Sequence, residues 1–255
     1  RKVLKISGLK TIVFLNNILT SEVSDLKPLE IIPSALLSPQ GRILFDILIS
    51  KNFEQVSIKE SIFIEYDKLY QDDLLKRLNM YNLRKEVNIE KTKYKVLVTL
   101  DTKIFNNSLV DKRFANLDVD IRRIYLENYD PPLNNEKVTI YKNWYDLLRY
   151  KFCIPEGPKE IESNVTLPLE INLDLLGGIS FEKGCFIGQE VNARIKYKGL
   201  VKRKFVPIIF KNKNLSCLNL DNIDDTKIFL NKEEIGEVVA FSLNKQENMW
   251  YGIAK

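Results

Sequence analysis

Residues 167–203 read LPLEINLDLLGGISFEKGCFIGQEVNARIKYKGLVKR, and the parsing of the whole chain turns on the second half of this stretch. From Lys183 to Gly199 a tight glycine-containing turn feeds a short helix. Ile187, Val191 and Ile195 recur every fourth residue and are expected to pack inward, Glu190 and Arg194 are spaced to pair on an exposed face, and Gly199 stops the helix. Cys185 then falls just before the helix N-terminus, where unpaired backbone N–H groups and Lys183 favour thiolate over thiol. Two readings stay open at this level. A cysteine beside Phe186 and Ile187 is most often a small buried filler, whereas one poised at a helix start beside a lysine suits a reactive or ligating sulfur. Gly184 and Gly188 serve a turn in either reading, and Glu190 complements the helix dipole in either.

Beyond Gly199 the helical signals end. The runs LVKRKFVPIIF, TKIFL, EIGEVVAFSL and MWYGIAK are short and β-like, separated by Asn, Asp and Lys clusters, as expected of a small barrel or sandwich. A domain boundary is therefore set near Gly199, dividing the chain into 1–198 and 199–255. Upstream, strand and helix patterns alternate. KVLKIS reads as a strand, TIVFLNNIL as a helix with Ile12, Leu15 and Leu19 on one face, and SALLSPQGRILFDILIS as a hairpin whose Ser38, Pro39 and Gly41 suit a type I turn. SIFIEY, VNIE and YKVLVTL are further strands, and residues 68–80 a helix through Leu74, Leu75 and Leu78. The helix before Ile154 and Pro155 takes Trp144, Leu147, Leu148 and Phe152 as its apolar stripe. The mixture is α+β.

Composition narrows the chemistry. With 45% apolar residues in 255 the chain can fill a core, and no apolar run reaches the roughly 18 residues that span a bilayer. Cys153, Cys185 and Cys217 form no C-x-x-C pair and no disulfide framework, which points to a reducing compartment and away from a zinc site. Histidine is absent, so the usual general base and the Ser-His and Cys-His nucleophiles are excluded. The net charge of +5 is mild. The basic run Lys196, Lys198, Lys202, Arg203 and Lys204 reads as a solvated face, and direct tRNA binding is not expected. The chain starts at Arg1, which leaves room for a removed leader.

The stretch 167–203, together with LLSPQGRILFDILI, LLKRLNMYNLRKEVNI, LVDKRF, YDLLRYKFCIPEG and the terminal GIAK, resembles the YgfZ family. These are folate-binding proteins related to the T-protein (aminomethyltransferase) of the glycine cleavage system, and the resemblance covers nearly the whole chain. It implies an α+β, T-protein-like fold: interleaved ferredoxin-like N-terminal subdomains enclosing a folate pocket, then a small C-terminal β-barrel. It further implies work in the assembly or repair of iron-sulfur proteins, in bacteria including iron-sulfur enzymes that modify tRNA. By that resemblance Cys185 is the functional cysteine and Lys183, Gly184, Phe186, Gly188, Gln189 and Glu190 complete its motif. T-proteins carry adjacent carboxylates where this chain has Phe45 then Asp46, so ordinary aminomethyl transfer is disfavoured.

The implied cofactor, tetrahydrofolate or a derivative, needs an aromatic slot, a carboxylate for the pterin N–H edge and cations for its glutamate tail. Candidates are Tyr145 and Trp144 for stacking, Asp46, Glu156 or Glu170 for pairing, and Arg42 and Arg149 for the tail. The implied partners are folate and iron-sulfur assembly proteins or client iron-sulfur enzymes, with no membrane. A lone thiol does not cage a four-iron cluster, so Cys185 is expected to engage a cluster, a persulfide or a partner thiol transiently. The alternative is a tetrahydrofolate-dependent one-carbon transferase. The expected compartment is the bacterial cytoplasm, or the mitochondrial matrix in a eukaryote.

Overall fold

The computed structural model describes residues 1–51, 61–100, 107–127, 143–211 and 227–255. Cys217 and most of the segment leading into the helix at Trp144 lie outside the described residues. The chain forms two compact units, Arg1–Pro131 with Gly157–Leu200, and Pro132–Glu156 with Val201–Lys255. The first unit ends beside the expected boundary at Gly199. The second also takes residues 132–156, which the sequence reading kept with the N-terminal region.

The first unit is built on an eight-stranded sheet in the order β5-β1-β4-β3-β2-β7-β8-β6. Its strands are β1 (Lys2–Ser7), β2 (Glu30–Leu37), β3 (Ile43–Lys51), β4 (Ser61–Tyr66), β5 (Asn88–Lys91), β6 (Lys95–Thr99), β7 (Leu109–Asp111) and β8 (Arg122–Leu126). All neighbours are antiparallel except β2 and β7, whose parallel pairing of Glu30 with Val110 joins the two halves. The period of two explains the core. Leu4, Ile6, Ile47, Ile49, Ile62 and Ile64 point to one face, where they meet Leu15 and Ile18 of α1 (Thr11–Ile18) and Leu74 and Leu78 of α2 (Gln71–Tyr81). The alternate residues Val3, Leu48 and Phe63 turn to the other face, against Leu109, Tyr94 and Tyr125. β4 is buried along its whole length, which is why SIFIEY carries so few polar residues.

The β2–β3 hairpin closes as its sequence predicts, with Ser38 N donating to Arg42 O at 2.8 Å and Gly41 N to Ser38 O at 2.8 Å. From Gly157 to Gly188 the chain runs in turns, yet it is tied to this unit throughout. Ile43 N donates to Thr166 O at 2.9 Å, Asn164 N to Ile43 O at 2.7 Å, and Ser180 N to Thr20 O at 2.9 Å. It then enters α4 (Gln189–Lys198), which ends at Gly199.

The second unit carries its own antiparallel sheet, β10-β11-β12-β9, where a small barrel is expected. The strands are β9 (Val206–Phe210), β10 (Lys227–Leu230), β11 (Glu233–Asn244) and β12 (Met249–Ala254), and α3 (Trp144–Lys151) packs on β9, β11 and β12. Phe210 and Phe241 close on Trp250 with ring centroids 6.1 and 5.1 Å away. The expected stripe of α3 is corrected: Arg149 and Tyr150 are the buried helix residues, continued by Cys153 and Ile154. Periodicity counts apolar side chains only. Here a guanidinium is buried instead, because Ile154 O and Asp146 Oδ1 accept from it at 3.0 and 2.7 Å and the rings of Tyr145 and Tyr150 flank it.

Candidate functional site

The motif around Cys185 separates into an anchored set and an open set. Within the first unit Lys183 reaches the end of α1, and its ammonium donates to the carbonyl oxygens of Asn16, Leu19 and Ser21 at 2.9, 2.5 and 2.8 Å. These carbonyls lie at and beyond the C-terminal end of α1, where a helix favours a cation. Burial pushes the Lys183 pKa down to about 8, against the opposing charge of Glu22. Phe186 is buried beneath that ammonium, with Nζ 4.7 Å from the ring centroid.

Gly188 and Gly41 hold α4 against the hairpin turn by backbone contact. A Cβ on Gly188, at φ +78°, would meet Ser38 O at 2.6 Å, and one on Gly41, at φ +77°, would meet Asn192 Nδ2 at 2.7 Å. Asn192 completes the junction by donating to Gly41 O at 2.9 Å and Gly188 O at 3.0 Å. It is the fully buried residue of α4, whereas Val191, expected to pack inward, is exposed. The inward face is chosen by hydrogen bonding to the turn, which an apolar period does not see.

The open set is Cys185 with Gly184 and Glu190. Cys185 is a free, exposed thiol. Beside it, a Cβ on Gly184 would have no neighbour within 4 Å, so this glycine is not required by close packing. Glu190 forms the expected surface pair with Arg194 at 2.9 Å, and Gln189 is half-buried at the first position of α4. Cys153 provides the contrast: it is 5% exposed and burial raises its pKa to about 12, the behaviour of a packing residue.

The folate candidates fall into both units. In the first, Asp46 Oδ1 accepts from the Tyr70 hydroxyl at 3.0 Å and Oδ2 from Gly157 N at 3.0 Å, with Arg1 Nη1 3.6 Å away. Burial, then the Asp46 charge, pushes the Tyr70 pKa well up, so this hydroxyl stays a donor. Phe45, at the position beside Asp46, is buried and packs edge-on to Tyr70 at 5.2 Å. Arg42 donates to Val165 O, and Glu170 Oε2 accepts from Leu167 N at 2.8 Å, so both engage the same short loop. In the second unit, Tyr145 donates to Glu156 Oε2 at 2.7 Å, its ring lies 5.8 Å from that of Trp144, and Arg149 is over it at 5.3 Å. That brings four candidates together. In kind the Asp46 carboxylate suits the N–H edge of a pterin, since each of its oxygens accepts one hydrogen bond and retains a further lone pair.

Sequence reasoning missed the charged network behind Asp46. Arg1 Nε pairs with Glu65 Oε1 at 2.8 Å, Arg123 bridges Glu65 and Asp111, reaching Asp111 Oδ2 at 2.9 Å, and Arg113 Nη2 reaches the same oxygen at 2.7 Å. Glu65 and Arg123 are fully buried. Burial alone would raise the Asp111 pKa, but Arg113 and Arg123 outweigh it and hold it below the usual carboxylate range. Its signal in the sequence was one acid inside the otherwise apolar SIFIEY and the arginine pair of β8. Among the described residues no group of three or more His, Cys, Asp or Glu is placed to hold a metal ion.

No protein-family model matches the chain. Among curated proteins it is 26% identical over 269 residues to the mitochondrial iron-sulfur cluster assembly factor IBA57 homolog of Dictyostelium discoideum, covering 89% of this chain and 66% of that protein. It is 28% identical over 229 residues to the Neurospora crassa homolog, covering 82% and 52%, and 27% identical over 231 residues to the Homo sapiens IBA57, covering 82% and 64%. The chain thus spans between about half and two thirds of the length of these relatives. Among solved structures, the glycine cleavage system aminomethyltransferase T from Bartonella henselae superposes with a TM-score of 0.70 at 16% identity, over 99% of this chain and 75% of that one. The fold is T-protein-like, and the curated relatives are iron-sulfur cluster assembly factors.

Proposed function

We propose that this chain is a folate-binding accessory factor of iron-sulfur cluster assembly of the YgfZ kind, and that Cys185 is its working residue. The observation that carries the reading is the exposed Cys185 thiol on a segment anchored on either side of it by Lys183, Phe186 and Gly188. An exposed thiol can donate a sulfur lone pair to an iron of a cluster, or attack the outer sulfur of a partner's persulfide, that sulfur passing to Cys185 as the S–S bond breaks and the partner's thiolate leaves. One sulfur supplies one ligand, so the remaining ligands come from the partner protein and the cluster passes through as cargo. The mitochondrial relatives support the matrix over the bacterial cytoplasm as the compartment. Client enzymes with four-iron four-sulfur clusters, tRNA-modifying ones among them, belong to this proposal.

Tetrahydrofolate is the proposed cofactor, supported by the T-protein-like fold, with Asp46 pairing the pterin edge. When bound it would supply a one-carbon carrier. Asp46, braced by Tyr70 and the Gly157 amide, would orient the ring. The same fold similarity favours one second reading, a tetrahydrofolate-dependent transferase, against which stands the aromatic Phe45 beside Asp46. Clear multiple turnover of an aminomethyl or methyl donor by the pure protein would decide for the transferase.

The deciding experiment is complementation of cells lacking the relative with Cys185→Ala, reading several iron-sulfur enzymes together. Their activities are expected to fall to the level of the deletion. Full rescue would return Cys185 to the status of an incidental surface thiol. In parallel, Asp46→Asn is expected to weaken tetrahydrofolate binding by about tenfold in calorimetry, since a charged hydrogen-bond partner is lost.

A further inference from the structure

The ammonium of Lys183 has three acceptors and three hydrogens, and every acceptor is a main-chain carbonyl more than 160 residues earlier in the chain. A lysine that serves as a general base needs its nitrogen free toward the reacting group. Here the nitrogen is committed to three carbonyls at and just beyond the end of α1, with the ring of Phe186 4.7 Å away. The same turn also receives Ile187 N on Asn17 O at 3.3 Å and Ser180 N on Thr20 O at 2.9 Å, so the segment bearing Cys185 is pinned on both sides of the thiol. Glu22 is the charged group that acts on the ammonium, and its Oε1 accepts from Asn16 and Ser24.

We propose that Lys183 is a positioning residue: its three hydrogen bonds lock residues 180–187 onto the turn after α1 and so fix where the Cys185 sulfur is presented, while taking no part in bond making. The proposal gives the motif lysine a definite task. It rests on the reading of Cys185 as the working thiol only for its consequence in cells; the lock itself is tested on the pure protein.

The test compares wild type with Lys183→Met, which keeps the stem and removes charge and donors, and Lys183→Arg, which keeps a charged donor. Two quantities are read: amide hydrogen exchange of peptides spanning 16–21 and 178–188, and the rate of Cys185 alkylation by iodoacetamide, with Cys185→Ala subtracting the other thiols. In Lys183→Met, exchange in both peptides is expected to quicken by about tenfold or more with the β-sheet peptides unchanged, and the alkylation rate to change by at least about threefold. Lys183→Arg is expected to restore both in large part. Unchanged exchange and alkylation in Lys183→Met would overturn the proposal. Should that variant fail to fold, the wild-type protein labelled with nitrogen-15 lysine serves instead, its Lys183 resonance identified by its loss in Lys183→Arg. A slowly exchanging ammonium is then expected, and a surface-like one overturns the lock. If the lock holds while Cys185→Ala fully supports iron-sulfur enzymes in cells, the functional reading fails and the positioning inference stands.

Discussion

Lys183 ties one ionisable group to a measurable pH effect. Burial lowers its folded pKa to about 8, below the roughly 10.4 of an unfolded chain. Between those values the unfolded chain holds the proton and the folded one releases it, so stability from this group rises with pH across that window and is flat below it. Loss of the proton removes one of three donors but also relieves a buried charge, and the lowered pKa says that the relief is the larger effect. The expected outcome is that the stability difference between wild type and Lys183→Met grows in favour of wild type from about pH 8 to about pH 10.4, read by urea unfolding at a series of pH values. A difference that stays flat up to about pH 10.4 and shrinks above it would mean that the carbonyls hold the charge more tightly than burial expels it. At this scale the sequence was legible for composition and blind to partners. The residues around Cys185 left a buried filler and a presented thiol both open, and burial separates it from Cys153, the packing thiol.

Elements were readable where their signals are local. The β2–β3 hairpin follows from Ser38, Pro39 and Gly41, and the ends of α4 from Gly188 and Gly199, because turn chemistry and caps act over a few residues. The inner faces of α3 and α4 were misread for one reason: each buries a polar side chain, Arg149 or Asn192, whose partners make it fit. The network of Glu65, Asp111 and Arg123 escaped for a related one, its members being 12 and 58 residues apart. Asn192 offers the direct test. Asn192→Ala removes the side-chain donor to Gly41 O and Gly188 O, and is expected to cost about 1–3 kcal/mol in urea unfolding. A cost near zero would show that the two glycines alone seat α4 on the turn.

On the scale of the molecule, each unit is assembled from two separated stretches of chain, since residues 132–156 leave one unit for the other and the chain then returns. The last crossing lies between Leu200 and Val201, and nothing local announced that α3, well before it, would pack on the C-terminal strands. A fragment ending at Leu200 would therefore strand α3 without β9, β11 and β12. Such a fragment is expected to bind a hydrophobic dye and to aggregate at concentrations where the full chain is monodisperse. A well-behaved fragment would instead show that α3 does not depend on those strands. The three bonds of Lys183 span 162 to 167 residues, and this has a consequence during synthesis. At roughly 5–20 residues per second a ribosome needs about ten to thirty seconds to travel from the early turn to the lysine that closes on it. Throughout that interval the carbonyls of Asn16, Leu19 and Ser21 wait for their ammonium, so this early turn of the protein is finished only when its last third is being made.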